Sequence, residues 1–249
     1  MLKCIALFIL LSVNLFAKSF TIGTTSGYAP FVSLDEKGEY EGFDIDIARE
    51  VSRKLDCSLI IKDYGNMPGL MLALKQKKVD ALIWGISITK DRDKSMEMVY
   101  YQGDKEDTVT LIFWNNIPNK VTSLSDLVSL KRPICVEAGS YQEDILTTCP
   151  SLSLKYFDSV DNVILDLKYG KSEASALDPS ILSRFQAKYP NLKVLFLPLP
   201  EEMQSRGNGI CINRDDQELA LKVRKAVEEL RTEGVIFQLE KKWGLKNDN

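Results

Sequence analysis

The stretch DIDIAREVSRKLDCSLIIKDYGNMPGLMLALKQKKVDALIW, residues 44–84, decides the fold class. Residues 44–55 carry apolar side chains at the three- and four-residue spacing of a helix, and residues 58–62 form a short strand-like run. Residues 68–78 repeat the helical spacing, and residues 79–84 resemble a buried strand. Alternation of strands and helices predicts βαβ units and a parallel sheet.

A turn-rich segment, NNIPN at 115–119, separates this set of elements from a second one. Outside residues 44–84, strands are predicted at 19–24, 133–137, 154–157, 174–177, 192–197 and 207–212, and helices at 141–148, 161–169, 180–188, 218–231 and 235–242. The two halves have a similar order of elements. They predict two α/β lobes with a cleft between them, because ligands bind at the carboxyl ends of parallel strands.

The composition excludes several classes of function. The 249 residues carry a net charge of -3, which argues against a nucleic-acid partner because such binding needs a clustered basic face. The chain has no histidine, so Ser-His-Asp catalysis, Cys-His catalysis and histidine-dependent zinc sites are excluded. We therefore expect no metal and no cofactor.

The amino terminus has the layout of a secretory signal. Lys3 precedes an apolar run that begins at residue 4 and resumes at Val13, and Ala17 offers a small residue for cleavage. The run is short for a membrane span. We expect residues 1–17 to be a signal peptide that directs the chain out of the cytoplasm.

Four cysteines follow the signal: Cys57, Cys135, Cys149 and Cys211. None forms a CxxC motif, so a redox motif or a metal site is not indicated. Export permits disulfides, and four cysteines allow three full pairings. We predict a bond between Cys135, which opens a strand, and Cys149, which ends the following helix; Cys57 and Cys211 fit buried thiols as well.

Five stretches in this order resemble one family: GTTSGYAPF (23–31), EGFDIDIA (41–48), WGISITKDR (84–92), AGSYQ (138–142) and the closing segment 207–244. The family is that of the periplasmic polar amino acid-binding proteins of ABC importers, which have the type II solute-binding fold. Within it the chain looks most like the arginine-binding branch.

The resemblance implies an α/β periplasmic binding protein fold with a ligand cleft between two lobes joined by two hinge strands. Lobe one would comprise residues 18–112 and 208–249, and lobe two residues 113–207. The protein would be a monomer in the periplasm that binds a free amino acid and delivers it to the membrane permease of an ABC importer.

By the same resemblance, Arg92 and Ser87 bind the carboxylate of the amino acid, and the carbonyl of Gly85 and the carboxylate of Asp178 bind its ammonium group. A guanidinium pairs with a carboxylate through two parallel hydrogen bonds. Without the family, Arg92 fits a surface charge at a helix start. Asp178 also fits the N-cap of a helix whose first residue is Pro179.

The turn that holds Ser140, Tyr141 and Gln142 lies between a strand and a helix, and the resemblance implies that its backbone donates to the ligand carboxylate. Family members usually carry Thr or Ser where this chain has Tyr141, so we expect the backbone to act there instead of a hydroxyl. Gln142 would reach the ligand side chain.

We expect Tyr28 and Trp84 to face the ligand side chain, because a flat guanidinium stacks on aromatic rings. The chain departs from the basic-amino-acid receptors of the family at two positions. It has Thr25 where they carry Asp or Glu, and Met67 where they place an aromatic residue. Asp44 is a substitute acid, although it also fits a helix N-cap.

These residues rank arginine before lysine, with glutamine as the neutral alternative. A different class of function is an enzyme resembling cyclohexadienyl dehydratase, which uses the same cleft. The recognised loops contain few acids and the chain has no histidine, so we expect a receptor and not an enzyme.

Overall fold

The computed structural model describes residues 18–246, so the predicted signal peptide at 1–17 lies outside the described residues. Two mixed five-stranded sheets organise two α/β lobes, which confirms the predicted two-lobed α/β fold. Within the described part of the chain, no helix has the length and apolar character needed to cross a membrane.

The first pass of the chain through lobe one forms six strands and three helices. They are β1 Ser19–Thr24, β2 Ser33–Leu34, β3 Tyr40–Glu41, α1 Phe43–Lys54, β4 Ser58–Asp63, α2 Met67–Lys75, β5 Ala81–Leu82, α3 Lys90–Ser95 and β6 Met96–Gln102. Acidic side chains in the first turn of α1 and basic ones in its last turn complement the helix dipole.

Lobe two is formed by one continuous piece of the chain. Its elements are β7 Thr108–Trp114, β8 Ile134–Glu137, α4 Tyr141–Leu146, β9 Leu154–Phe157, α5 Val160–Lys168, β10 Ala174–Ala176, α6 Pro179–Lys188 and β11 Leu192–Pro198. Short 3-10 helices lie at Leu124–Ser129 and Glu201–Met203. The chain then returns to lobe one with β12 Asn208–Asn213, α7 Gln217–Thr232 and α8 Val235–Lys242.

The sheets are mixed and not purely parallel as the alternation predicted. The first has the strand order β4-β1-β5-β12-β6, in which β1 is parallel to β4 and β5. The second has the order β11-β7-β10-β8-β9, with β8 parallel to β9 and β10. The antiparallel neighbours arise because the strands next to the crossings, β12 and β7, run against the others.

The two crossings lie at residues 103–107 and 199–207, between strands of different sheets. Residues 108–112 are part of β7, which pairs within the second sheet, whereas the predicted lobe boundary lies at residue 112. The sequence analysis predicted no strand at β6 or β7, which a short polar segment at residues 103–107 separates. The closing helices α7 and α8 pack on α1.

The predicted Cys135–Cys149 disulfide is wrong in this structure, where all four described cysteines are free. Side chains alternate between the two faces of a strand. Ile134 and Val136 pack in one core cluster with α4, whereas Cys135 points to the opposite face and packs near Val163 of α5. Since Cys149 follows α4, it lies on the side of β8 from which Cys135 points away.

Candidate ligand-binding site

A narrow cavity with about 20 Å³ of free space, room for about one water molecule, lies between the lobes. Its lining residues come from segments that follow strand ends in both lobes. They are Tyr28, Met67, Trp84, Gly85, Ser87, Arg92, Glu137, Ser140, Tyr141, Gln142 and Asp178. The structure thus brings together nine of the residues that the sequence singled out, while the buried Thr25 and Asp44 do not line this cavity.

Arg92 lies in α3, where Thr89 caps the helix by accepting a hydrogen bond from its backbone N–H. Its Nη1 donates to the Ser87 carbonyl at 3.2 Å, and its Nη2 donates to the Gly139 carbonyl at 3.0 Å and to Asp144 Oδ2 at 3.2 Å. A guanidinium has five N–H donors, so two remain for another partner. Arg92 is therefore a buried cation held between the lobes and not a surface charge.

Asp178 follows β10 and serves two purposes. Its Oδ1 accepts from the backbone N–H and the hydroxyl of Ser180, so it is the N-cap of α6. Its Oδ2 accepts from the Tyr28 hydroxyl of lobe one at 2.7 Å. Burial, followed by the charge of Asp178, raises the pKa of Tyr28 well above its ordinary value. Asp178 thus places an anionic group at the cavity while it closes the gap between the lobes.

Gly85 follows β5 with a φ of 54°, in the left-handed region that favours glycine, and a Cβ there would meet the Tyr28 ring at 2.9 Å. Its backbone N–H donates to Asp44 Oδ2 at 2.6 Å, and the Tyr101 hydroxyl donates to Asp44 Oδ1 at 2.7 Å. Burial raises the pKa of Asp44 to about 7, although both hydrogen bonds oppose this shift. Asp44, which does not line the cavity, therefore holds the backbone of Gly85 in position through this hydrogen bond.

The turn after β8 contributes three lining residues of lobe two. Ser140 is the N-cap of α4, since its hydroxyl accepts from the Glu143 backbone N–H at 3.1 Å. The Tyr141 hydroxyl donates its hydrogen bond to the Met203 carbonyl, so its proton is used within the protein. Gln142 is buried at the cavity.

Two aromatic residues of lobe one form a wall of the cavity. The rings of Tyr28 and Trp84 lie 5.0 Å apart between centroids, tilted by 43°. Trp84 is 4% exposed, and its Nε1 has no hydrogen-bond partner among residues 18–246. The indole N–H is thus a buried donor at the cavity that the described chain leaves unused.

Glu137 is a lining residue that the sequence reading missed. It is the last residue of β8, directly before the recognised turn, and the rule that ligands bind at the carboxyl ends of parallel strands would have found it. Burial and the nearby Asp178 raise the pKa of Glu137 to about 8. Met67, at the start of α2, also lines the cavity.

Two α/β lobes joined by two crossings, with a polar cavity between them, define the class of two-lobed ligand-binding proteins. Residues 20–246 match the bacterial extracellular solute-binding proteins, family 3. The chain belongs to this family, which confirms the resemblance drawn from its motifs.

Relatives with assigned names agree with this family. The chain is 38% identical over 233 residues to the probable ABC transporter arginine-binding protein ArtJ of Chlamydia trachomatis serovar D, a match that covers 93% of this chain and 88% of the relative. It is 30% identical over 234 residues to the lysine/arginine/ornithine-binding periplasmic protein of Escherichia coli K12, covering 89% and 86% of the two chains.

Solved structures show the same fold. A mutant of ArgBP from T. maritima superposes with a TM-score of 0.79 at 27% identity, covering 92% of this chain and 96% of the other. An ancestral arginine-binding protein bound to arginine superposes with a TM-score of 0.77 at 25% identity, covering 90% and 97%.

Proposed function

We propose that this protein is a receptor outside the cytoplasm that binds one free amino acid, arginine before lysine or glutamine, and delivers it to the membrane permease of an ABC importer. The observation that supports this best is the pairing of opposite charges at one cavity, with Arg92 from lobe one and Asp178 from lobe two. A free amino acid carries one carboxylate and one ammonium group on the same carbon. Those two side chains are the partners that such a zwitterion needs.

Arginine is favoured by the shape and chemistry of the lobe-one wall. A planar guanidinium stacks on aromatic faces such as those of Tyr28 and Trp84, and it distributes its charge over five donors. The relative ArtJ, named for arginine binding, supports arginine, and the relative named for lysine, arginine and ornithine supports a basic amino acid in general. In this proposal, residues 1–17 direct export to the periplasm, residues 103–107 and 199–207 act as hinges, and the receptor is a monomer.

Binding without chemical conversion is part of the proposal. The chain lacks histidine. Arg92 and Asp178 at the cavity are the charged partners that the carboxylate and the ammonium group of a bound amino acid need. Residues that the ligand carboxylate and ammonium occupy would not be available for proton transfer.

Calorimetry with protein stripped of ligand by unfolding and refolding tests the function. Arginine is expected to bind tightest, lysine and glutamine more weakly, and mass spectrometry of the bound fraction is expected to recover unchanged arginine. A tight ligand would also raise the free energy of unfolding by about 4 kcal/mol at a thousandfold excess over Kd. Tighter binding of glutamine would overturn the ranking, and recovery of a converted product would favour an enzyme.

A further inference from the structure

Glu137 differs from the other charged residues at the cavity because its carboxylate has no partner in the chain. Arg92 is bonded to Ser87, Gly139 and Asp144, and Asp178 accepts hydrogen bonds from other residues. In residues 18–246, no hydrogen bond or ion pair satisfies the Glu137 side chain, although it is partly buried and lines the cavity. A carboxylate that lines the cavity with both oxygens unpaired can accept hydrogen bonds from a partner outside the chain.

An independent observation on the opposite lobe points the same way. The indole Nε1 of Trp84 is buried at the same cavity without an acceptor in the described chain. The cavity therefore presents an unpaired acceptor from lobe two and an unpaired donor from lobe one. A molecule that satisfies both needs a hydrogen-bond donor at one place and an acceptor, such as a carboxylate oxygen, at another.

The charges at the cavity match a cationic amino acid one to one. The ionisable side chains of this kind at the cavity are Arg92, Asp178 and Glu137, which amounts to one basic and two acidic groups. Arginine and lysine carry one carboxylate and two cationic groups. A neutral amino acid would pair with Arg92 and Asp178 and leave the Glu137 carboxyl without a partner, whereas a cationic side chain favours its ionised form.

We propose that Glu137 is the specificity-determining residue of this cavity: its carboxylate pairs with the cationic side chain of the ligand. This inference rests on the proposed function and deepens it. Basic-amino-acid receptors of the family carry an acid in lobe one where this chain has Thr25, and Glu137 supplies that acid from lobe two instead. Glu137 lies at the end of β8 in lobe two, so in this proposal it pairs with the ligand side chain when the lobes close and not at first contact with lobe one.

The surroundings of Glu137 fit this role. Asp178 lies near enough to disfavour a second negative charge, and burial adds to that effect, so that the pKa of Glu137 is raised. Glu106 lies on the crossing segment 103–107, and burial and the charge of Asp178 raise its pKa to about 8 as well. Its side chain lines a different cavity from that of Glu137. A cation that binds beside a carboxyl of raised pKa stabilises its ionised form and lowers that pKa.

Citrulline tests the proposal, because it replaces the guanidinium of arginine by a neutral group of nearly the same shape. Calorimetry is performed with both ligands on the unaltered protein, Glu137→Gln, Glu106→Gln and, as a matched surface control, Glu201→Gln. The unaltered protein is expected to prefer arginine over citrulline by about 10- to 100-fold, the range for a hydrogen bond to a charged group. Glu137→Gln is expected to remove most of that preference through weaker arginine binding, while citrulline binding shows that the variant is folded.

The outcomes separate this proposal from the proposed function. If the unaltered protein binds arginine and Glu137→Gln keeps the full preference, the assignment of Glu137 is overturned and the arginine receptor stands. An equal loss in Glu106→Gln would also overturn it, because the effect would then come from the general acidic field and not from contact. If the unaltered protein binds no amino acid, the proposed function fails first, and the role of Glu137 fails with it.

Discussion

The Tyr28 hydroxyl of lobe one donates a 2.7 Å hydrogen bond to the Asp178 carboxylate of lobe two. Arg92 makes a second connection by donating to the Gly139 carbonyl, and Asn66 makes a third at the rim by donating to Asp158. The described arrangement is therefore a closed one that the chain holds through its own side chains. The ligand adds to these contacts and need not create closure alone.

Tyr28→Phe is expected to weaken ligand binding while the fold survives. The substitution removes the hydroxyl that links the lobes and keeps the ring, and Asp178 keeps its hydrogen bonds from Ser180. A loss of roughly 1 kcal/mol, about fivefold in Kd, is expected for one such bond. Calorimetry measures the affinity and thermal unfolding checks the fold. A folded variant with unchanged affinity would show that this bond does not contribute to closure.

Arg92→Ala is expected to abolish most binding. The change removes the cation for the ligand carboxylate, and truncation of one partner in a buried charge pair costs about 2–5 kcal/mol of binding free energy. Arg92→Lys is the matched control: it keeps the charge but loses the planar fork, so it is expected to bind with intermediate affinity. Near-native affinity of a folded Arg92→Ala protein would remove Arg92 from the site.

Arginine binding is expected to release protons near neutral pH. Burial and Asp178 raise the pKa of Glu137 to about 8, so at pH 7 the carboxyl in the empty cavity is largely protonated. A ligand cation favours the carboxylate, so affinity for arginine is expected to rise between about pH 6 and pH 8. Calorimetry in buffers of different ionisation enthalpy measures the release. Glu106→Gln corrects for the other carboxyl of raised pKa, and equal release with citrulline would contradict the model.

Asp44 is expected to make folding stability depend on pH. Its pKa is raised from 3.8 to about 7 in the folded protein, so between these values the folded state binds more protons than the unfolded state. The Asp44 contribution to the free energy of unfolding therefore falls as the pH rises through that window and levels off above it. Urea unfolding across the window should show a shallower fall in Asp44→Asn. Identical slopes in both proteins would refute this role of Asp44.

The cysteines are expected to react in two groups. Burial raises the pKa of Cys135 to about 11 and that of Cys211 to about 12, so their thiols are protected in the native state. Cys57 and Cys149 are only partly buried and are expected to react first. Thiol titration before and after denaturation measures the difference. A disulfide-linked peptide containing Cys135 and Cys149 would restore the pairing that the strand alternation argues against.

Periodicity was sufficient to predict most elements, because each residue's preference for a helix or a strand is local. The helix predicted at 235–242 and the strand at 154–157 match α8 and β9. Asp178 follows the predicted strand β10, whereas Arg92 lies in α3, which periodicity did not predict, and both line the cavity. Their positions come from the topology that the family resemblance supplied.

What could not be predicted depends on which face a side chain occupies. Asp44 looks like an N-cap or a site acid in the sequence, yet its helix begins one residue earlier, at Phe43, and its carboxylate turns inward to Gly85 and Tyr101. Glu137 ends a strand and could point to either side, and only the packing of β8 against its neighbours directs it to the cavity. The same packing places the Cys135 side chain on the face of β8 that points away from α4.

The position of β12 between β5 and β6 has a consequence for the order in which the protein folds. The sheet of lobe two has all its strands once residue 198 has been synthesised, whereas the first sheet stays split until the strand Asn208–Asn213 is made. Until then β5 and β6 each present an open edge that can pair with another chain. Closing contacts so distant in sequence is slow. The late strand therefore leaves the half-finished chain with unpaired sheet edges for longer than the rest of the fold.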